Sequence, residues 1–570
     1  MKKRTAWILV AAVVAVAIGA AAVGAIALLF RSDGAGLGFG QTKLLSLRLE
    51  GDVPEQSAAD LGSLFEQRPA SLRTIVESLD RAARDPQISG AIVRVGPLPG
   101  AGWARIQELR SALSRFRAGG KPLYAHIEYC GNKEYYLATA CSRVYALPTA
   151  ILDVSGLSLE FLFLRGTLDK LGVEAEFEGV GRYKNAPNQY TERGFTAPHR
   201  EQMESIAESL YQEYAAVLAK ARSRTPEQAR EILDGGPYDA KEALRVGLVD
   251  ELLYRDQVEE KIEDAGTVTP GRYLRGEKSF FDGRPKLALV YAVGEIVPGA
   301  SQSGPFGGAY AGSDTVGAAL RQARDDNAIR AIVLRVDSPG GFGPAADVIW
   351  REVRLARKKK PVVVSMGDYA ASGGYYIAMG ADAIVAQPGT LTGSIGVFSG
   401  KFNLRGLYEK LGLSKDSVSR GRHASIYTDY RPWTDSERER IRALNVAFYE
   451  DFVSRAAEGR AQSREAIEAV AEGRVWTGAQ AVANRLADRL GGLREAVALA
   501  KEKAKIGAAD EVALVLLPAP KGLIETLFER QEEVNLDSRL ATELRAVLGW
   551  ASRMRSDGPM ARLPFDVRVR

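Results

Sequence analysis

Asp368-Tyr369-Ala370-Ala371-Ser372-Gly373-Gly374-Tyr375-Tyr376 comes directly after the apolar run Pro361-Val-Val-Val-Ser365 and two further residues. The run reads as a buried strand, the small residues as a turn and the aromatic end as the start of an apolar helix, the strand-to-helix step of an α/β protein. Such a step places the Ser372 hydroxyl at a helix N-terminus, where backbone N–H groups without intrahelical partners favour developing negative charge. Gly373 and Gly374 carry no side chain, so a peptide backbone can come close and the Gly373 N–H can face an oxyanion. Ser372 is the candidate nucleophile. Taken alone, an Ala-Ser-Gly-Gly turn is more often just a tight connection, so its weight comes from the rest of the chain.

The stretch lies in the second of two copies. Ala91-Ile-Val-Arg-Val95 matches Ala331-Ile-Val-Leu-Arg335, Tyr135-Tyr-Leu-Ala138 matches Tyr375-Tyr-Ile-Ala378, and Arg165-Gly166 with Lys170-Leu-Gly172 matches Arg405-Gly406 with Lys410-Leu-Gly412, all at an offset of 240 residues. One offset of that size is a domain duplication and not a solenoid period. The boundary falls between Asp264 and Arg284, where Thr269-Pro-Gly271 and Asp282-Gly-Arg-Pro285 interrupt the pattern. The reading is thus an α/β chain with an N-terminal repeat over 43–270, a C-terminal repeat over 285–505 and an extension over 506–570. In the extension, Val512-Ala-Leu-Val-Leu-Leu517 is strand-like and Leu536 to Met554 is a helix candidate, with no chemistry assigned to either.

The copies have lost different things. Asn132 stands opposite Ser372, with Lys133-Glu134 opposite Gly373-Gly374, so the first copy lacks the nucleophile turn. Gly181-Arg-Tyr-Lys184 stands opposite Gly421-Arg-His423-Ala424, so the second copy lacks the lysine. A working site then needs Ser372 from one repeat and Lys184 from the other. Lysine serves as a general base only when burial brings its pKa down from about 10.4 towards neutrality, and a domain interface can bury it. The rival base is His423, in the same repeat as Ser372; the other histidines, His126 and His199, lie on a strand-like run and at a helix start. A third piece, Val336-Asp-Ser-Pro-Gly340-Gly341-Phe-Gly343, follows a strand with glycines able to present an N–H to an oxyanion, and Pro344 suits the first turn of a helix. Its counterpart in the first copy, Gly96-Pro-Leu-Pro-Gly100, is altered.

Composition narrows the class. The chain has 570 residues, 46% of them apolar, and a net charge of +5 on 76 basic and 71 acidic residues, which gives no argument for nucleic acid. No spacing of Cys, His, Asp and Glu resembles a metal site, and the two cysteines, Cys130 and Cys141, form at most one bridge. Met1-Lys-Lys-Arg-Thr5 precedes Ala6 to Phe30, an uncharged apolar run of about 25 residues that as a helix spans ~38 Å, enough for a bilayer. The reading is a retained anchor over 1–30 in preference to a cleaved signal peptide, a Gly-rich tether over 31–42, and everything after it outside the cytoplasm.

Four motifs, Gly181-Arg-Tyr-Lys-Asn185, Asp337-Ser-Pro-Gly-Gly341, Ala371-Ser-Gly-Gly-Tyr375 and Leu391-Thr-Gly-Ser-Ile-Gly396, occur in that order. With them the chain resembles the signal peptide peptidase A (protease IV) family in its long, duplicated, membrane-anchored form. The resemblance implies a tandem duplication of a ClpP/crotonase-like domain and a serine endopeptidase working without ATP or cofactor. It assigns Ser372 as nucleophile, Lys184 as general base and the Gly341 and Gly373 N–H groups as the oxyanion hole. Ser394 is implied either as a supporting hydroxyl or as a plain turn serine. The expected substrates are residual signal peptides and other short apolar peptides. The expected setting is the bacterial inner membrane, with the catalytic repeats on its outer side in a bowl-shaped homo-oligomer, a tetramer in the family. Phe342-Gly343-Pro344 departs from the family's small polar residue and bears on the nearby subsites, not on the dyad. The alternatives are a Ser-His protease using His423 and a tethered peptide-binding scaffold on the same fold.

Overall fold

Each half of the chain turns its apolar runs into a parallel sheet. In the first, Lys43–Leu49, Ile88–Val95, Leu123–Cys130 and Arg143–Leu152 pair in sequence, and the short Thr267–Val268 closes the outer edge beside Lys43–Leu49. In the second, Lys286–Val293, Ile329–Ser338 and Val362–Ala371 pair in the same way, with Ala383–Ala386 and Leu391–Gly393 both on Val362–Ala371. Central strands covered by helices on both faces need unbroken apolar sequence, and Ile332, Val333, Leu334, Val362, Val363 and Val364 are all fully buried. The computed structural model describes residues 42–56, 70–262, 266–275, 283–303, 309–519 and 560–562. The anchor over 1–30, most of the tether and the helix candidate Leu536 to Met554 lie outside the described residues, among which no helix is long and apolar enough to cross a membrane.

Two sequence readings need adjusting. The strand expected to end near Ser365 runs on to Ala371, because Tyr369, Ala370 and Ala371 pair with Leu391, Thr392 and Gly393. The strand-like run of the extension, Ala513–Leu517, belongs to the second repeat's sheet as an outer strand on Lys286–Val293, just as Thr267–Val268 lies outside Lys43–Leu49. Cys130 and Cys141 are buried and unbridged, and burial pushes the Cys141 thiol up to about 12.

A third sheet joins the repeats. Glu174–Val180 of the first pairs antiparallel with Val397–Asn403 of the second over seven residues, from Glu174 opposite Asn403 to Val180 opposite Val397. At 240 residues' offset neither strand has a regular counterpart: 157–163 and 414–420 are not continuous strands. The copies have therefore diverged in backbone as well as in side chains, each keeping one strand of the pair.

Elsewhere the repeats meet through buried charge. The helix Trp103–Ala118 starts after Gly102, which has no capping side chain, and Asp368 of the second repeat caps it, accepting from Gly102 N (2.9 Å) and Arg105 N (2.8 Å). Arg105 donates to Asp337 Oδ2 at 2.7 Å and lies 3.3 Å from Asp368 Oδ2. Arg335 donates to Glu55 and Glu108 of the first repeat at 2.8 and 2.9 Å and to Ser365 Oγ at 2.9 Å. Four carboxyls share two guanidiniums, so they do not all behave alike. Burial raises Glu55, yet Arg335 and Arg105 more than offset it and hold it below the ordinary carboxylate value. For Glu108 burial wins, and for Asp337 burial, aided by Asp368 and Glu55 against Arg105, pushes the carboxyl up to about 6. Asp337 and Asp368 lie four residues before Gly341 and Ser372, so this network fixes the base of both motifs.

Candidate active site

Ser372 leaves the strand Val362–Ala371 at φ 56° and ψ −114° and opens the short helix Gly373–Ala378. A non-glycine residue there costs ~1–3 kcal/mol and persists only where its surroundings hold it. Ser372 N donates to Gly393 O at 2.8 Å and Tyr376 N donates to Ser372 O at 2.8 Å, pinning both sides of the corner. The second glycine of the motif is needed for packing: a Cβ on Gly374 would lie 2.7 Å from Ser338 O, so only glycine lets the helix start settle against the loop that carries Gly340 and Gly341. Gly341 in turn lies against Ile296, whose O would be 2.1 Å from an added Cβ.

Lys184 arrives from the opposite direction. The joining ladder ends at Val180, and Gly181 (φ 103°) turns the chain so that Tyr183 N donates to Glu472 O at 2.9 Å. Gly473, at φ 78°, passes so near that a Cβ would lie 2.6 Å from Lys184 N and Cβ, and its N–H donates to Ile395 O at 2.7 Å. Gly473 is thus the floor on which the lysine rests. Aligning the copies gives no sign of it: setting the turn Pro237-Tyr-Asp-Ala-Lys-Glu-Ala243 on Val475-Trp-Thr-Gly-Ala-Gln-Ala481 puts Gly235 opposite Gly473.

These two routes bring Lys184 Nζ to 2.6 Å from Ser372 Oγ. Nζ lies 2.9 Å from Ser394 Oγ and 3.1 Å from Ser394 O. Nζ is within hydrogen-bonding distance of all three oxygens, and in its neutral form the amine can donate to the two Ser394 oxygens while its lone pair accepts the Ser372 O–H. Lys184 is 6% exposed, Ser372 and Ser394 fully buried, and burial alone brings the lysine well below its ordinary pKa. Ser394, held at φ 53° with its N–H on Arg474 O at 2.7 Å, orients the amine, which favours the supporting hydroxyl over the plain turn serine. The sign of the pH dependence follows. Protonated Lys184 cannot take the serine proton, so kcat/KM should fall with slope one as pH drops through the depressed pKa and be flat well before about pH 10, where a solvated lysine titrates. A profile of kcat/KM against pH checks this, and activity still climbing at about pH 10 would count against Lys184 as the base.

The other sequence candidates fall into place around this pair. His423 Nε2 is 3.0 Å from Ser436 Oγ, in a different hydrogen bond from that of Ser372. His126 meets Leu253 O at 3.2 Å, and His199 is buried at the start of the helix Ala197–Ala221. In the first copy the equivalent corner is filled by its own side chains. Asn132 donates to Gly156 O (2.7 Å) and accepts from Ser155 N (3.1 Å), Lys133 donates to Ala101 O (2.7 Å), and Glu134 accepts from Leu98 N (2.8 Å) and Gly131 N (3.1 Å). Leu98 and Ala101 correspond to Ser338 and Gly341, so polar side chains of the chain itself occupy that surface.

A serine beside a buried lysine of lowered pKa, next to a glycine-rich loop, can do acyl transfer. Comparison with known proteins agrees. The model of peptidase family S49 matches residues 115–269 and 354–507, once in each repeat. The chain belongs to peptidase family S49. Within curated proteins this S49 peptidase is 34% identical over 492 residues to the chloroplastic serine protease SPPA of Arabidopsis thaliana, covering 84% of this chain and 71% of that one. It is 34% identical over 456 residues to Protease 4 of Salmonella typhi (76% and 72% covered) and 29% identical over 471 residues to Protease 4 of Haemophilus influenzae (79% and 75%). The S49 peptidase is accordingly a serine protease, with one matched region in the later part of each repeat.

Proposed function

We propose that this chain is a membrane-anchored, ATP-independent endopeptidase that uses a Ser372-Lys184 dyad on a duplicated ClpP/crotonase-type domain. Its substrates are residual signal peptides and other short apolar peptides. Ser372 Oγ attacks the scissile carbonyl as Lys184 takes its proton, the oxyanion faces the Gly341 and Gly373 N–H groups, and Lys184 returns the proton to the leaving amine. Water then attacks the resulting ester with Lys184 again as base. The observation that carries this is the 2.6 Å approach to the serine, across two repeats, of a lysine that burial brings well below its ordinary pKa. The apolar run Ala6 to Phe30 supports the anchor, which would hold the repeats near membrane peptides on the outer face of the inner membrane. A homo-oligomer is part of the proposal through the family resemblance.

The test is a serine-directed fluorophosphonate applied to the full chain in detergent, followed by peptide mapping and by cleavage of a synthetic signal peptide. The expected result is one adduct, on Ser372, with loss of cleavage in proportion to labelling. A chain that neither labels nor cuts any of a range of apolar peptides would be a peptide-binding scaffold.

A further inference from the structure

The strands Ile329–Ser338 and Val362–Ala371 pair one to one as far as Val336 opposite Met366, after which Ser338 stands opposite Ala370. One residue, Asp337, therefore faces three, Gly367, Asp368 and Tyr369, and the strand leading to Ser372 bulges. A bulge leaves backbone groups without ladder partners, and the Asp337 side chain stands in for them. Its Oδ1 accepts from Tyr369 N at 3.0 Å, and a Cβ on Gly367 would lie 2.9 Å from its Cβ and Cγ. Its Oδ2 accepts from Arg105, which is itself fixed in the first repeat by donating to Val53 O (3.1 Å) and Gly100 O (3.3 Å). Beyond Asp337 the chain has three residues left before Gly341, and along them Ser338 Oγ accepts from Gly340 N at 3.1 Å. The pair occurs once in the molecule: at the offset of 240, Ala345 stands opposite Arg105 and Pro97 opposite Asp337.

We propose that Asp337 is a positioning residue for the Ser372 reaction: its carboxylate, anchored on Arg105, holds the loop of Gly341 and the corner of Ser372 at the separation that an oxyanion between them requires. The proposal rests on the Ser372 peptidase reading. The first repeat thus serves the site twice, with Lys184 at the serine and Arg105 behind the oxyanion loop. An oxyanion donor acts where charge develops, so a small displacement of Gly341 weakens the transition state and leaves substrate binding alone. The negative charge of Asp337 is what strengthens its hold on Arg105 and on Tyr369 N. Facing it are Arg105 and Glu55 of the first repeat and Asp368 and Arg335 of the second, with Lys133 acting on Arg105 and Asp368. Burial and these neighbours leave the carboxyl at about 6, so it takes up a proton in mild acid and the hold loosens.

The experiment compares the full chain with Asp337→Asn, which keeps the shape and removes the charge. Rates are taken per active site titrated with the fluorophosphonate, so that a loss of folded chain does not count. For a synthetic apolar peptide, kcat should fall about 10²-fold with KM unchanged. A boronic acid of the same peptide probes the oxyanion position directly: boron bonds to Ser372 Oγ as Lys184 takes the hydroxyl proton, leaving a tetrahedral anion. Its Ki should rise about 10²-fold in D337N, while the corresponding peptide amide binds as before. Acid supplies a readout that needs no variant. In the wild type the slope of log kcat/KM should steepen from one towards two below about pH 6, and in D337N it should stay at one. Unchanged kcat per titrated site, or a wild-type slope that never exceeds one, overturns the proposal. Failure of the fluorophosphonate to label Ser372 removes the peptidase reading and the positioning role with it. Labelling with unchanged kcat removes the positioning role only.

Discussion

Lys184→Ala should lower kcat by about 10⁴-fold or more while leaving the fold intact, and Ser372→Ala should do the same. The two act as a unit, so the double variant should be no worse than either single one. Lys184→Arg is the sharper test. It keeps much of the length and the N–H donors, but a guanidinium is not deprotonated in proteins, so it cannot accept the serine proton. Arginine should therefore be as inactive as alanine. His423→Ala should cut normally, since that imidazole is engaged with Ser436. The measurement is steady-state cleavage of a synthetic signal peptide, with circular dichroism to confirm folding. Normal cutting by K184A together with loss in H423A would move the site wholly into the second repeat.

Arg335→Ala should destabilise the folded chain by about 3–5 kcal/mol, because it leaves Glu108 buried without its cation and Glu55 with only Arg105, 3.5 Å away. Arg335 is 1% exposed, so water cannot readily replace it. The pH dependence identifies the cause. Glu55 is held below its ordinary value in the folded state, and a depressed carboxyl contributes stability that is present above its unfolded pKa and lost as pH falls through the folded one. Removing Arg335 takes away the larger part of that contribution, so the gap between variant and wild type should be widest near neutral pH and narrow in acid, where the carboxyls take up protons. Urea unfolding at several pH values measures it, and a gap independent of pH would mean that lost packing, not charge, is responsible.

Much of this site is legible in the residues because a duplicated chain carries its own comparison. Setting Ser372 against Asn132 and Lys184 against Ala424 identifies two residues 188 positions apart that the structure brings to hydrogen-bonding distance. What stays hidden is whatever both copies share or whatever acts through backbone. Gly473 has a glycine opposite it, so no difference marks it as the floor beneath Lys184. Arg105 and Arg335 are arginines on helix and strand patterns, and nothing local says that each reaches across to carboxyls of the other repeat. The strand Met560–Arg562, which pairs with Gly340–Phe342 on one side and with Phe398 on the other, is three residues long, too short for any periodicity, and its place is set by two strands far away in sequence. The anchor and the helix candidate in the extension lie outside the described residues.

The ladder between Glu174–Val180 and Val397–Asn403 also sets a clock. At ~5–20 residues per second of synthesis, Ser372 follows Lys184 by roughly 10–40 s, and the second strand of the ladder later still. Until both repeats have folded and docked, the lysine is solvated and protonated and the serine is an ordinary alcohol. A nascent or half-unfolded chain is therefore inert towards apolar segments at the stage when its own are exposed, and only the finished molecule is armed.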